Sequence, residues 1–554
     1  MKSYRKFFCK NELLIIAVLA FLFYFFLAVV KPIGIFWSLD EGGKWIYMEN
    51  VLRTGNPRAP LIYPGRYLDT NLESVPLFFY GRIGHQIYTW WPVGFPLLTL
   101  PFYKILGWAG MFLLPALAGA ITVYFSAKIA ETLSGSKTTS RAVALITAFA
   151  TPVAFYSMTF WEHTLSVAGV VVTLYLILLS KERNSAFPML IGGISGSLAI
   201  FFRQEAGLII LGTGIAVLLI NWRRAIPYAI GGVVTASTWV LVNLWLTGYP
   251  ISPSINSVQS ISSFTALTSL GVRFIPYTLF NSPTIGAFDL GDTLLIFVTA
   301  LAVLAFLFGM YRRTFWLSLC LTIGVTIICA YVLLQPSLYR SVHGFILICP
   351  FVLLSSLVYR SQAWRANREF RIVIGIGLIV YIIGYILRAW ASAGGLQWGP
   401  RYLLALYPIM VIAAVLGIQD VVSRLTARQR AVILASAGLA VLVGIGFEVR
   451  GYITMVLTMD LFNRSAATLR TLKGQPIKTD CIWMPMVIPD LYWSGNVFKN
   501  TDNPEWEKNL KKTGRDSYLH VTMDACDTDP IDQELLQYSI RKDGLEIEEI
   551  SINK

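Results

Sequence analysis

Two adjacent carboxylates, Asp40 and Glu41, stand in FWSLDEGGKWIYMENVLRTG (Phe36 to Gly55), directly after the first long apolar stretch of the sequence. A carboxylate held within hydrogen-bond reach of a hydroxyl can take its proton and act as a general base. The same pair also reads as the start of a helix over EGGKWIYMENVL, with Asp40 as N-cap and Glu41 at the positive end of the helix dipole. Further ionisable groups stand at the ends of apolar stretches: Glu162 and His163 in FWEHTLSV, Arg203 and Glu205 in FFRQEAGL, and Arg401 in GGLQWGPRYLLALYP. Such groups are costly at membrane depth unless they are paired or face water, so each is a candidate site residue. Each also has a plainer reading. Glu162 and His163 fit loop residues wetted by headgroups, Arg203 and Glu205 fit a structural ion pair, and Arg401 fits a snorkelling cation. Trp90, Trp91 and Trp398 fit an interfacial aromatic belt.

Composition dictates the elements that must position these groups. The protein has 554 residues, 55% hydrophobic and 14% charged, with a mean hydropathy of +0.61. Ordinary globular proteins are about a quarter charged, so this one carries more apolar surface than one soluble core can bury, and it is an integral membrane protein. The formal net charge of +14 fits cytoplasmic loops and anionic headgroups, not nucleic acid. Of the six cysteines, Cys320, Cys329 and Cys349 lie in apolar stretches, Cys9 in the N-terminal tail, and Cys481 and Cys526 in a polar region. Whether the last two pair is left open, and no spacing marks a metal site.

The N-terminal run from Leu13 to Val30 is too long for a signal peptide and lacks a small-residue cleavage site, so it reads as an uncleaved first helix. Apolar stretches give about thirteen spans, near 12–30, 108–130, 142–160, 164–180, 186–202, 206–221, 226–246, 291–310, 313–334, 343–359, 370–388, 402–420 and 430–447. With Met1 in the cytoplasm, the short loops holding Lys137, Lys181, Arg223, Arg312, Arg365 and Arg424 all fall on the cytoplasmic side. An odd number of crossings then sets the C-terminal region outside. The expected organisation is a transmembrane module over 1–447, with external loops at 31–107 and 248–290, and an external soluble α/β domain over 448–554. In that domain CIWMPMVI and YLHVTM read as strands, with a helix over PEWEKNLKK between them. WWPVGFPLLTLPFYKILG is too broken by Pro and Gly to span, and reads as an interfacial or re-entrant element.

Taken in this order and sidedness, the acidic pair after the first helix, the long loop behind it, about thirteen spans and the external C-terminal region resemble the polytopic GT-C glycosyltransferases. That class includes protein O-mannosyltransferases and the aminoarabinose transferases of lipid A. GRIGHQIYTWWPVGFPLLTLPFYKILG, ITAFATPVAFYSMTFWEHTLSVAGVV and WGPRYLLALYP are similar to recurring segments of bacterial family-39-like members, over about the first 420 residues. One departure is Gly42-Gly43, where relatives often carry bulkier residues. The resemblance implies a multi-pass enzyme of the cell membrane that takes a sugar from a polyprenyl-phosphate donor. The acceptor is then a hydroxyl on a glycan, lipid or protein of the cell envelope, and a divalent metal remains an open requirement. The resemblance selects Asp40 over Glu41 as base. It implies guanidinium or ammonium groups at the leaving phosphate, Arg401 first, with Arg82, His85, Arg203 and Arg340 behind it. Glu162, His163 and Glu205 are left as an acceptor or secondary polar site. Direct attack with one base implies inversion at the anomeric carbon. Two readings from other classes stay open: a secondary transporter, for which no internal repeat is visible, and a non-catalytic lipid-binding assembly subunit.

Overall fold

The computed structural model describes residues 11–75, 80–83, 85–89, 92–249, 276–280, 291–311, 314–336, 341–388, 397–471, 474–481, 484–500, 504–515, 517–523 and 545–551. Arg340, Trp90, Trp91, Cys526 and most of the expected loop 248–290 lie outside the described residues.

The protein is an α-helical polytopic membrane protein, and each expected apolar stretch holds a helix. Among the described residues, seven helices are long and apolar enough to cross a membrane, including Glu12–Val29, His163–Arg183, Trp222–Thr247 and Ala427–Thr471. The first of these has 18 residues, a rise of about 27 Å against a hydrocarbon core of about 30 Å. Four shorter apolar helices, Phe187–Phe202, Ala206–Ile220, Pro350–Arg360 and Leu406–Val422, accompany them. Turn chemistry makes the short connections. At Asn221 the side chain accepts from the N–H groups of Arg223 and Arg224, so one residue ends one helix and caps the next. The broken segment after residue 93 forms a helix, Gly94–Leu106, with Pro101 inside it. It reverses at Gly107 (φ +59) into Gly110–Ser134, where a Cβ at Gly110 would lie 2.1 Å from Phe102 O.

The two ends of the bundle differ in charge chemistry. Arg141 Nη2 donates to Glu12 Oε2 at 2.6 Å, and Glu369 takes Lys181 at 4.0 Å and Arg224 at 3.4 Å. Glu12 opens the helix that runs toward Asp40, and Lys181 closes the helix that begins after Glu162. The loops at Arg141, Lys181 and Arg224 therefore lie at the end opposite the acidic and arginine candidates. Cysteine labelling with an impermeant reagent in intact cells is expected to spare Lys137→Cys, Arg223→Cys and Arg365→Cys and to modify Asp480→Cys and Lys511→Cys. Protection of the last two would overturn the orientation.

The last helix, Ala427–Thr471, runs unbroken for 45 residues, so the expected boundary between 447 and 448 falls inside it. It leads into a four-stranded mixed sheet of β3 (Ile477–Thr479), β4 (Val497–Lys499), β5 (Ser517–Met523) and β6 (Leu545–Ser551), in the order β4-β3-β5-β6. The hairpin of β1 (Tyr80–Ile83) and β2 (Gln86–Thr89) stands apart in the first loop. The expected helix over 504–512 and the strand over 518–523 are present. The described residues of CIWMPMVI hold no strand. Pro485, and Pro489 just beyond the segment, have no N–H to give to a ladder, and the described part instead winds into Met484–Val487, followed by a second short helix from Pro489 to Ser494. Cys481 is disulfide-bonded. The C-terminal unit docks on the first loop, with Tyr492 OH donating to Ile62 O at 2.9 Å and Leu68 packed among Phe498, Trp506 and Leu510.

Candidate functional site

The Asp40 helix, Leu39–Thr54, is capped by Ser38 and not by Asp40, so both acids lie inside its first turn. The Ser38 side chain accepts from Glu41 N–H and the Glu41 carboxylate accepts back from Ser38 N–H, a reciprocal capping box. Glu41 is fully engaged. Its Oε2 also accepts from Trp37 N–H at 3.1 Å, and its Oε1 accepts from Phe160 N–H at 2.7 Å. At 2% exposure it anchors the helix start to the bundle. The pair thus splits into two roles. Glu41 holds the helix, and Asp40 points elsewhere.

Asp40 meets Arg401, 361 residues away in sequence, with Arg401 Nη1 donating to Asp40 Oδ2 at 3.0 Å. Their side chains are 14% and 9% exposed. Among the described residues Asp40 Oδ1 has no hydrogen-bond partner, so one carboxylate oxygen is committed and the other is open to a proton donor. Arg401 belongs to a single turn, Arg401–Leu403, ahead of the helix Leu406–Val422. Its backbone is locked: Arg401 N–H donates to Gln397 Oε1 at 3.0 Å, and Val342 pairs with Trp398 in an isolated parallel bridge. Gly399 (φ +72) supplies the bend, where a Cβ would lie 2.9 Å from Pro152 Cγ. The guanidinium carbon stands 5.1 Å from the Trp161 ring centroid and 5.2 Å from that of Tyr402, a cation–π setting on two rings. Trp398 is fully buried, its Nε1 donating to Phe447 O at 3.1 Å, so it is a packing residue and not part of an interfacial belt.

Tyr402 links this pair to a second charged group, because Arg203 lies 5.3 Å from the same ring. Arg203 and Glu205 occupy the break between helices Phe187–Phe202 and Ala206–Ile220. Arg203 Nε donates to Glu205 Oε1 at 2.8 Å and its Nη1 to Glu162 Oε1 at 3.1 Å. The other Glu162 oxygen pairs with Lys44, which is 1% exposed on its side chain. Burial would push Glu162 up, but the charges of Lys44 and Arg203 more than offset it and hold the carboxyl at about 2. His163 is buried with its ring stacked 5.2 Å from Tyr156 and tilted against Trp161 at 5.1 Å.

The structure brings together Asp40, Glu162, Arg203, Glu205 and Arg401, with His163 beside them. Arg82 and His85 sit exposed on the β1–β2 hairpin, Arg82 Nη1 donating to Asn71 O at 2.8 Å and His85 O accepting from Arg66 Nη2 at 2.8 Å. Lys44 is a member of the cluster that apolar-stretch ends do not reveal. The signal for it is its position four residues after Asp40 on one helix, which sets both on one face. Lys31, just past the first helix, is another; it donates to Met158 O at 2.5 Å, and burial pushes it down to about 8 against the pull of Glu41. Among the described residues no group of three or more His, Cys, Asp or Glu could hold a metal ion.

The buried ions carry a stability expectation. Removing one partner of a buried pair costs about 3–5 kcal/mol because the other charge is left uncompensated. Lys44→Met is therefore expected to lower the melting temperature of the detergent-solubilised protein more than Lys44→Met combined with Glu162→Gln. An additive pair of effects would show that the two do not interact. The folded-state depression of Glu162 also has a sign in pH. Its contribution is complete above the ordinary value of 4.5 and is lost as pH falls toward about 2. Melting temperatures between about pH 5 and pH 3 are expected to fall less steeply in Glu162→Gln than in wild type.

No family model matches the protein, and no curated protein matches it. Solved structures give low-identity likenesses over most of its length. One is the archaeal oligosaccharyltransferase AglB from Archaeoglobus fulgidus in complex with an inhibitory peptide and a dolichol-phosphate, at 12% identity over 93% of this protein and 70% of that one, TM-score 0.45. Another is ArnT from Cupriavidus metallidurans bound to undecaprenyl phosphate, at 11% identity over 93% of each protein, TM-score 0.43.

Proposed function

We propose that this protein is a membrane glycosyltransferase that moves a sugar from a polyprenyl-phosphate donor to an acceptor hydroxyl, with Asp40 as base and Arg401 at the donor phosphate. The observation that carries this reading is the 3.0 Å contact of Arg401 with one oxygen of Asp40 while, among the described residues, the other oxygen accepts no hydrogen bond. A carboxylate and a guanidinium are thereby in one small volume, the two groups that base catalysis and phosphate binding require. In the reaction the acceptor oxygen attacks the anomeric carbon as the bond from that carbon to the phosphate oxygen breaks. The acceptor proton passes to Asp40, and the leaving polyprenyl phosphate keeps the electron pair. Its growing negative charge is what a fixed guanidinium stabilises. A single base and direct attack mean inversion at the anomeric carbon.

The Glu162, Arg203, Glu205 and Lys44 network supports the site as a scaffold: its charges balance, Lys44 ties the Asp40 helix to Glu162, and Arg203 lies by the Tyr402 ring. The proposed orientation sets the basic short loops in the cytoplasm and the Asp40 cluster, with the C-terminal unit, on the outer face. A lipid carrier suits that face because it presents its headgroup where nucleotide sugars are scarce. The test is incubation of the purified protein with a panel of radiolabelled polyprenyl-phosphate sugars in native membrane extract. Label reaching a glycan, lipid or protein acceptor supports the proposal, and folded protein that moves label from none of them overturns it.

A further inference from the structure

The segment that follows the last apolar stretch touches both halves of the Asp40–Arg401 pair. On the Asp40 side the contacts bracket the carboxylate in sequence. Phe36 N–H donates to Val487 O at 2.9 Å. Two residues beyond Asp40, a Cβ at Gly42 would lie 1.5 Å from Met486 O, 2.6 Å from Met486 C and 3.3 Å from Met486 Cα. The first of these is a covalent distance, and the obstacle is backbone, which cannot rotate away as a side chain can. Gly42 is thus where the C-terminal unit lies directly on the Asp40 helix, an approach close enough for Cα–H to carbonyl contact. Glycine weakens a helix, so its use in the first turn fits this approach. Met486 is buried with Tyr47 and Val51 of the same helix, and Arg53 at its far end lies 3.9 Å over the Trp493 ring. On the other side of the helix start, Glu41 holds Phe160 N–H. The Asp40 helix is clamped between the bundle and the C-terminal unit.

The Arg401 side is held by the same segment. Phe447 O accepts from Trp398 Nε1, and a Cβ at Gly451 would lie 2.5 Å from the Trp398 ring at Cε2 and 2.6 Å from Nε1. Trp398 adjoins Gln397, the residue that takes Arg401 N–H. We infer that the described residues between Phe447 and Trp493 are a positioning element for the Asp40–Arg401 pair, seating the Asp40 helix through Met486, Val487 and Trp493 and the Arg401 turn through Phe447 and Gly451. This inference rests on the proposed assignment of the pair to sugar transfer. Its physical content is alignment: an error of about 1 Å in a reacting group costs on the order of 10²-fold in rate.

The experiment compares full-length Gly42→Ala and Trp493→Ala with wild type and with Gly438→Ala, a glycine on the last helix whose added Cβ meets nothing within 4 Å. Two readouts are taken on folded, detergent-solubilised protein: transfer from the radiolabelled polyprenyl-phosphate sugar panel, and hydrogen exchange at the Phe36 amide. Gly42→Ala is expected to lower kcat at least about tenfold with donor KM within about twofold, and to speed Phe36 exchange. Trp493→Ala is expected to move both in the same direction to a smaller extent, and Gly438→Ala to move neither. A merely structural role would lower the melting temperature while leaving kcat per folded molecule unchanged. Should Gly42→Ala not fold, Trp493→Ala decides by the same two readouts. Wild-type kcat and wild-type Phe36 exchange in the folded variants overturn the inference. Asp40→Asn run alongside separates the two levels. If it retains transfer the base assignment falls, and Phe36 exchange still decides whether the C-terminal unit seats the helix.

Discussion

Asp40→Asn is expected to leave a folded protein that has lost transfer by about 10² to 10⁴ in kcat, the usual size of a general-base contribution. The amide keeps the carboxylate's shape and can still accept from Arg401 Nη1, so the contact at 3.0 Å survives as a hydrogen bond without its ionic component. It cannot take a proton. The cost to folding is that of weakening a hydrogen bond to a charged group, about 1.5–3 kcal/mol. A domain with about 5–15 kcal/mol of stability stays folded through that loss. Fraction unfolded therefore cannot mimic a hundredfold drop, and the two explanations are separable by magnitude alone. Steady-state transfer, with folded protein quantified by size exclusion and thermal melting, is the measurement. A variant within about threefold of wild type would falsify Asp40 as base. Glu41→Gln makes the companion case. Glu41 accepts from Phe160, Trp37 and Ser38 N–H groups, and an amide can replace only one of its two oxygens as acceptor. Its loss is expected chiefly in melting temperature.

How far the sequence reaches is visible in these two neighbours. Hydrophobic length locates the helices because the bilayer sets one dimension for all of them, and polar groups near helix ends stand out because burial there is expensive without a partner. Asp40, Glu162, Arg203, Glu205 and Arg401 are candidates for that reason, and they do meet. Their pairing is not legible. Proximity in sequence groups Arg203 with Glu205, which is correct at 2.8 Å, but offers no means of finding Arg203 with Glu162, 41 residues apart, or Arg401 with Asp40, 361 apart. Those contacts depend on which helices are neighbours. Lys44 escapes notice because a lysine ordinarily faces water; here it is buried against Glu162. Gly42 stands out in sequence only as a departure from relatives, and its reason lies in Met486, in a distant part of the protein. Local rules fail at CIWMPMVI for a different cause: apolar content argues for a strand, while Pro485, a local signal already present, argues against one.

Arg401→Lys is expected to weaken donor use markedly, and Arg401→Ala to abolish it. The guanidinium makes several contacts at once: Nη1 to Asp40, Nη2 to Tyr402 OH at 3.4 Å, and its face toward Trp161 and Tyr402. A lysine ammonium is a point charge with a more tightly held hydration shell, and it cannot reproduce a planar fork that spans a carboxylate and a phosphate together. Snorkelling would predict the opposite, because a cation that only reaches for headgroups accepts Lys. Burial already argues against snorkelling, since the Arg401 side chain is 9% exposed and paired. Arg401→Ala leaves Asp40 without its partner at a site 14% exposed, so part of its effect belongs to the base. A double-mutant cycle resolves the two. If Arg401 acts at the donor phosphate, Arg401→Lys raises donor KM in wild type and raises the donor dissociation constant by the same factor in Asp40→Asn, where chemistry is already slow and binding is read from the donor-induced rise in melting temperature. If Arg401 only orients Asp40, the Lys substitution has no effect in the Asp40→Asn background, because the group it orients no longer reacts. Unchanged kinetics in Arg401→Lys across a range of donor concentrations would remove Arg401 from the donor site and leave it as the ion-pair partner of Asp40.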